Sequence, residues 1–232
     1  MKLPAELDKA PVMRWREEEQ TLTLVGEPVL EMSLSWPEWT GQGALARHAG
    51  RYYARLARRW REHWAREGYI RACLALAERR EQSRPFAPWS VSLSGRVTLD
   101  GGEYLSLALA ARERREDGRT LEYRWGDVWR RSDGAAAGLG ELLGGERRWR
   151  RHLRQALEQA AQDARRAGLC LDPELERPLR RWFSPRRAAL TEEGLEVYYP
   201  QCTLAPAAEG APVLRLSLPQ SARWAGREEV SS

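Results

Sequence analysis

The chain has 232 residues, long enough for one sizeable core, with 42% hydrophobic and 31% charged residues. Its formal charge of +5 is carried almost wholly by arginine, since Lys2 and Lys9 are the only lysines. No run approaches the roughly 18 apolar residues of a spanning helix, Met1–Lys9 lacks the apolar stretch of a secretory leader, and Cys73, Cys170 and Cys202 form no CxxC or zinc-type spacing. The expectation is a cytoplasmic chain, with no membrane insertion and with buried, reduced thiols.

Hydrophobic periodicity then orders the elements. Thr21–Val25 and Val29–Trp36 read as strands about a Gly26-Glu27-Pro28 turn. Leu45, Ala49, Tyr52, Leu56, Trp60 and Trp64 recur at helical spacing and predict one long amphipathic helix with its stripe against a sheet. The pattern continues through Ile70, Leu74 and Leu76, with a break near Gly68, until Pro85 and Pro88 end it.

Alternation at Val91, Leu93, Val97 and Leu99, the turn Asp100-Gly101-Gly102, and alternation at Leu105, Leu107 and Leu109 predict a hairpin. Asp117-Gly118 turns the chain into a third strand through Leu121, Tyr123 and Trp125, closed by Ser132-Asp133-Gly134. A short helix near Leu139–Leu143 precedes a second long one from about Glu146, with Trp149, Leu153, Leu157, Ala160 and Ala164 inward and Gly168 as C-cap. Asp172 and Pro173 suit the start of another short helix. Further strands end at Val213, Leu214, Leu216 and Leu218. The fold class is α+β, with antiparallel sheet packed on two long amphipathic helices and shorter ones. The expected layout is one domain over residues 1–219, in halves of about 20–85 and 86–219, followed by a flexible tail over 220–232.

No catalytic or metal constellation stands out, and no cofactor is expected. His48 and His63 are 15 residues apart on one helix, about 22 Å along its axis, too far to share a metal. Ser92-Leu93-Ser94-Gly95 lacks the first glycine of a nucleophile elbow. Asp100-Gly101-Gly102 is followed by a strand, so it is no phosphate loop.

Arginine runs at Arg112–Arg115, Arg130-Arg131, Arg147–Arg151, Arg180-Arg181 and Arg186-Arg187 are interleaved with tryptophan. Such a pattern grips phosphate and stacks on bases, which keeps nucleic acid or another anionic polymer open as a partner. Interspersed glutamate favours a solvated, ion-paired face instead. In Trp125-Gly126-Asp127-Val128-Trp129-Arg130-Arg131, the residues Trp129, Arg130 and Arg131 are candidates for partner binding, because Trp and Arg dominate interface energetics. The alternative is that Trp125 and Trp129 share a core-facing strand face above a solvated turn.

The last third carries a resemblance. Trp182-Phe183, the hairpin Leu190-Thr191-Glu192-Glu193-Gly194-Leu195, then Val197-Tyr198-Tyr199-Pro200 and Ala205-Pro206-Ala207-Ala208-Glu209-Gly210 are the residues that carry it. In this order they resemble the domain of unknown function that forms the ectodomain of RsiV-like, lysozyme-sensing anti-sigma factors. The same domain accompanies some peptidoglycan deacetylases of Gram-positive bacteria. Leu34-Ser35-Trp36-Pro37, Ser90–Gly95 and Tyr104–Leu107 extend the resemblance over about residues 20 to 219. Arg112–Gly118 departs from the Gly-Gly-Ala-His-type segment of many members. The resemblance implies a non-enzymatic binding or sensory domain whose partner is a protein, lysozyme in the known sensors. An accessory module for a cell-wall hydrolase or deacetylase is the alternative it also suggests. Tyr199, Pro200, Pro206 and Gly210 are expected to be architectural, the prolines fixing φ and Gly210 permitting a turn.

Overall fold

The computed structural model describes residues 12–143 and 149–217. Five strands form one sheet in chain order: β1 (Val12–Leu24), β2 (Glu27–Thr40), β3 (Trp89–Gly101), β4 (Tyr104–Arg114) and β5 (Thr120–Arg130). A second sheet holds β6 (Ala188–Leu190), β7 (Gly194–Tyr198) and β8 (Val213–Ser217). The α+β expectation is met, with one change to its antiparallel sheets. β2 and β3 pair in parallel over Leu30–Leu34 and Trp89–Leu93. Parallel neighbours need a crossover, and the long helix between them supplies it.

That helix runs unbroken as α1 (Ala44–His63), a π turn (Trp64–Gly68) and α2 (Tyr69–Glu81), with no interruption at Gly68. Its contact line is Leu45, Ala46, Ala49, Tyr53 and Ala57, while Tyr52, Leu56 and Trp60 are only half-buried. Leu45, Ala49 and Trp64 of the expected stripe are buried, while Tyr52, Leu56 and Trp60 flank the core and Tyr53 and Ala57 take the sheet-facing positions between them. Trp64, Ala72 and Leu76 continue the buried line, whereas Ile70 (58% exposed) and Leu74 (66%) point outward. Four-residue spacing drifts by about 40° per step on a regular α-helix. The wider π turn takes up that drift and keeps Trp64, Gly68, Ala72 and Leu76 over the strands.

β1 begins at Val12, nine residues before the predicted strand, and pairs with β2 from Val12↔Thr40 to Leu24↔Glu27. It is an edge strand, and Arg14, Arg16, Glu17, Glu18 and Glu19 guard it against further pairing. In β3, a register shift between Val97 and Leu99 sends Val97 to the helix-side core and Leu99 to the other side. The alternation expected through Leu99 thus fails at a bulge.

The second core lies between the two sheets, α3 (Leu139–Leu142), α4 (Trp149–Arg166) and α5 (Glu176–Trp182). Ser106, fully buried on β4, ties the sheets together, its Oγ accepting from Thr98 Oγ1 and from the Leu190 N–H at 2.9 Å each. α4 ends as expected at Gly168: the Leu169 N–H reaches Ala164 O and the Gly168 N–H reaches Arg165 O, a Schellman closure. The expected start of α4 at Glu146 and the tail over 220–232 lie outside the described residues, as do Arg147, Arg148 and Leu218. Asp172 does not cap a helix. Its carboxylate accepts the Glu174 N–H in a local turn, and α5 starts at Glu176. The expectation of buried thiols is also corrected, since Cys73 is half-buried and Cys170 and Cys202 are exposed.

Candidate functional site

β5 alternates by twos, so Leu121, Tyr123, Trp125, Asp127 and Trp129 share the face toward α1. The row passes from solvent into the core: Leu121 is 37% and Tyr123 55% exposed, Trp125 is half-buried, and Trp129 is 7% exposed. From α1, the Trp60 ring meets Trp125 in a stack at 6.4 Å, Tyr123 at 6.0 Å and Trp64 at 4.9 Å. Deeper in, Trp129 Nε1 donates to the Tyr53 hydroxyl at 2.9 Å, and that hydroxyl donates to Asp127 Oδ2 at 3.1 Å. The Tyr52 hydroxyl donates to Asp127 Oδ1 at 3.3 Å.

A cavity of about 580 Å³ opens over Asp127 between Tyr52 and Trp125 on one side and Pro185 and Arg186 on the other. Burial raises the Asp127 carboxyl to about 6, although donors from Tyr53, Tyr52 and Trp125 pull the other way. Burial and the Asp127 charge together push Tyr52 up to about 12. An acid with a raised pKa among aromatic donors at a cavity mouth is the kind of group that functional sites collect.

The sign of its effect on stability follows from that shift. The folded chain holds the Asp127 proton more tightly than the unfolded chain, whose carboxyl titrates near 3.8. This contribution to stability is complete below that value and is lost as pH rises through about 6. Asp127→Asn removes the buried charge and, like the protonated acid, keeps a carbonyl acceptor for one tyrosine while its amide N–H meets the other hydroxyl oxygen. It is expected to stabilise the chain at pH 7.5 by on the order of 2–3 kcal/mol, with the gap closing by pH 4. Urea denaturation of both chains across pH checks this, and a gap independent of pH would refute it.

The structure separates the three residues singled out for partner binding. Trp129 lies in the helix-side core and offers almost no surface. Arg130, on the opposite strand face, clamps Glu141 through Nε at 3.0 Å and Nη2 at 2.8 Å, and Asp133 through Nη1 at 2.6 Å. Arg131 pairs with Asp100 across the turn. What sequence reasoning missed is Asp127 and the outward part of the row, Leu121 and Tyr123, together with Trp60 beneath them. Their two-residue spacing was visible; which end of the row left the core was not.

The four signature residues hold the chain's course. Tyr199 is buried and its hydroxyl donates to Leu179 O at 3.2 Å. Pro200 O accepts from Thr203 Oγ1 at 2.6 Å. Pro206 leads into a 3₁₀ turn, where its carbonyl accepts the Glu209 N–H. Gly210 has φ +71°, and a Cβ there would stand 3.0 Å from Glu122 Oε2.

No protein-family model matches this sequence, and no curated protein matches it significantly. Solved structures do match its fold. A DUF3298 family member from Bacteroides fragilis superposes with a TM-score of 0.62 at 12% identity, covering 92% of each chain. A DUF3298 family protein from Pseudomonas aeruginosa superposes with a TM-score of 0.54 at 13% identity, covering 91% of this chain and 93% of that one. The architecture is thus that of DUF3298 proteins along almost the whole chain. Among the described residues, no helix is long and apolar enough to cross a membrane.

Proposed function

We propose that this chain is a non-enzymatic binding domain of the lysozyme-sensing ectodomain type, and that it engages a protein through the outward row of β5. The observation that carries this reading is the graded aromatic face. Leu121 and Tyr123 are exposed beside Trp125 and Trp60, rings stacked down to a rigid core, with Asp127 and Arg186 at the neighbouring cavity. Large amphipathic rings held by a core lose little entropy on binding, and apolar surface rimmed by polar groups suits a protein partner. The resemblance in the C-terminal third makes lysozyme the first partner to test. Nucleic acid is the weaker reading, because Arg130 of the basic runs commits Nε, Nη1 and Nη2 together to Glu141 and Asp133.

Leu121→Ser/Tyr123→Ser removes the exposed row with little loss of core. Biolayer interferometry of the full chain against lysozyme is expected to show binding weakened at least about tenfold in this variant, with folding retained. Unchanged binding would move the site elsewhere. Binding to single-stranded oligonucleotide alone, falling steeply with salt, would favour a nucleic-acid function. Hydrolysis of peptidoglycan by the purified chain would end the non-enzyme reading.

A further inference from the structure

On the face of the large sheet turned away from α1, the register aligns chemistry in rows. Ser92 pairs with Arg112 and Arg112 with Glu122; Ser94 pairs with Ala110 and Ala110 with Arg124; Arg96 pairs with Ala108. The second sheet faces this surface with Glu196 and Arg215, themselves cross-strand partners. Small residues in the middle and long arginines around them leave a cavity of about 390 Å³ between the sheets.

Its charge is unbalanced. Arg112 and Arg124 both donate to Glu122 Oε1 at 3.0 Å, and the Ala211 N–H reaches Oε2 at 3.2 Å. Glu196 accepts from Arg96, from Arg215 Nε at 3.3 Å and from the Tyr198 hydroxyl at 2.7 Å. Four guanidinium groups thus surround two buried carboxylates. Burial works against ionised Glu122, yet Ala211, Arg124 and Arg112 hold it below the usual carboxylate range. Glu196 is likewise opposed by burial and held down by Tyr198, Arg96 and Arg215. One arginine would neutralise each glutamate; the second leaves a net positive charge at each end of the cavity. Each carboxylate contact uses one N–H of a guanidinium that carries five. Arg96 and Arg112 are 56% exposed and Arg215 is 82% exposed, so the donors are reachable from solvent.

We infer that this cavity is a binding site for a compact phosphate anion, held by arginine forks from both sheets over the Ser92 and Ser94 hydroxyls. Guanidinium matches tetrahedral oxyanions in pairs of parallel hydrogen bonds, and the volume suits a phosphate ester or pyrophosphate group. The site is distinct from the β5 aromatic row on the opposite face, so either stands if the other falls.

Calorimetric titration of the full chain with pyrophosphate, a sugar phosphate and short-chain polyphosphate tests the site. Saturable binding of at least one is expected, and the sugar phosphate and polyphosphate arms separate a small ester from a polymer. Arg112→Gln and Arg215→Gln should each weaken binding about tenfold, as loss of a charge-assisted pair requires. Arg112→Lys, which keeps the charge without the fork, should also weaken it. Arg151→Gln on α4 should change it less than about twofold. Glu196→Gln should tighten binding by removing a competing carboxylate. Circular dichroism confirms folding of each variant, and the exposed Arg215 is the position least coupled to it. Absence of saturation with all three probes, or equal effects of Arg215→Gln and Arg151→Gln, would overturn the site and leave the arginines as ties between sheets.

Discussion

Trp64→Ala is expected to lower stability by about 3–5 kcal/mol, a large part of the roughly 5–15 kcal/mol that holds a domain together. Trp64 is 1% exposed and sits in the π turn, packed within the helix-side core that includes Leu30 of β2. Truncation leaves a cavity under the middle of the long helix, between two rigid walls that cannot easily close. Trp60→Ala is the comparison. Its ring is half-buried and keeps solvent on one side, so its loss should cost about 1–2 kcal/mol. The midpoint of urea denaturation for both variants, at unchanged m, checks this. Equal costs would mean that Trp60 anchors the helix as firmly as Trp64, and would return the buried stripe to the line that the periodicity suggests.

That contrast shows what the sequence makes legible. Periodicity marks α1 as amphipathic, but it weights large residues, and the true contact line is made of Ala46, Ala49 and Ala57 with Tyr53 between them. Close approach selects small side chains, so the bulkiest stripe lies to one side. The first half of β1 is hard to read for a different reason: only Met13 and Trp15 mark its inward face, and Arg14–Glu19 show little apolar alternation. The parallel pairing of β2 and β3 is a fact of topology that no local pattern encodes, although the helix between them is the connection such a pair requires. The β6–β7 hairpin was legible because its turn is local: the Thr191 N–H meets Gly194 O, and Thr191 Oγ1 accepts the Gly194 N–H. The surroundings of Asp127 were not legible in the sequence. They are assembled from Tyr52 and Tyr53, more than seventy positions away, and from the segment carrying Arg186. In the same way, the arginine cavity depends on the register of three strands and on a second sheet.

Gly126→Ala is expected to cost about 3 kcal/mol or more, the upper end of overpacking, and to weaken partner binding as well. A Cβ at Gly126 would stand 2.3 Å from Ala188 O and 2.6 Å from Ala189 N. The clash is with main chain, which cannot rotate away as a side chain could. Gly126 is where the two sheets touch backbone to backbone, through its bridge to Arg187 and beside the Tyr198 N–H bond to Arg187 O at 2.7 Å. To admit a methyl group, β6 must lift from β5 and carry the segment with Pro185 and Arg186 off the cavity over Asp127. Both stability and binding should therefore fall together, whereas Leu121→Ser/Tyr123→Ser loses binding alone. Adding Ala188→Gly is expected not to rescue the chain, since the opposing atoms at position 188 are its carbonyl carbon and oxygen. Thermal denaturation and lysozyme binding of the single and double variants decide it. Rescue by Ala188→Gly would show that side chains, not main chain, set the distance between the sheets.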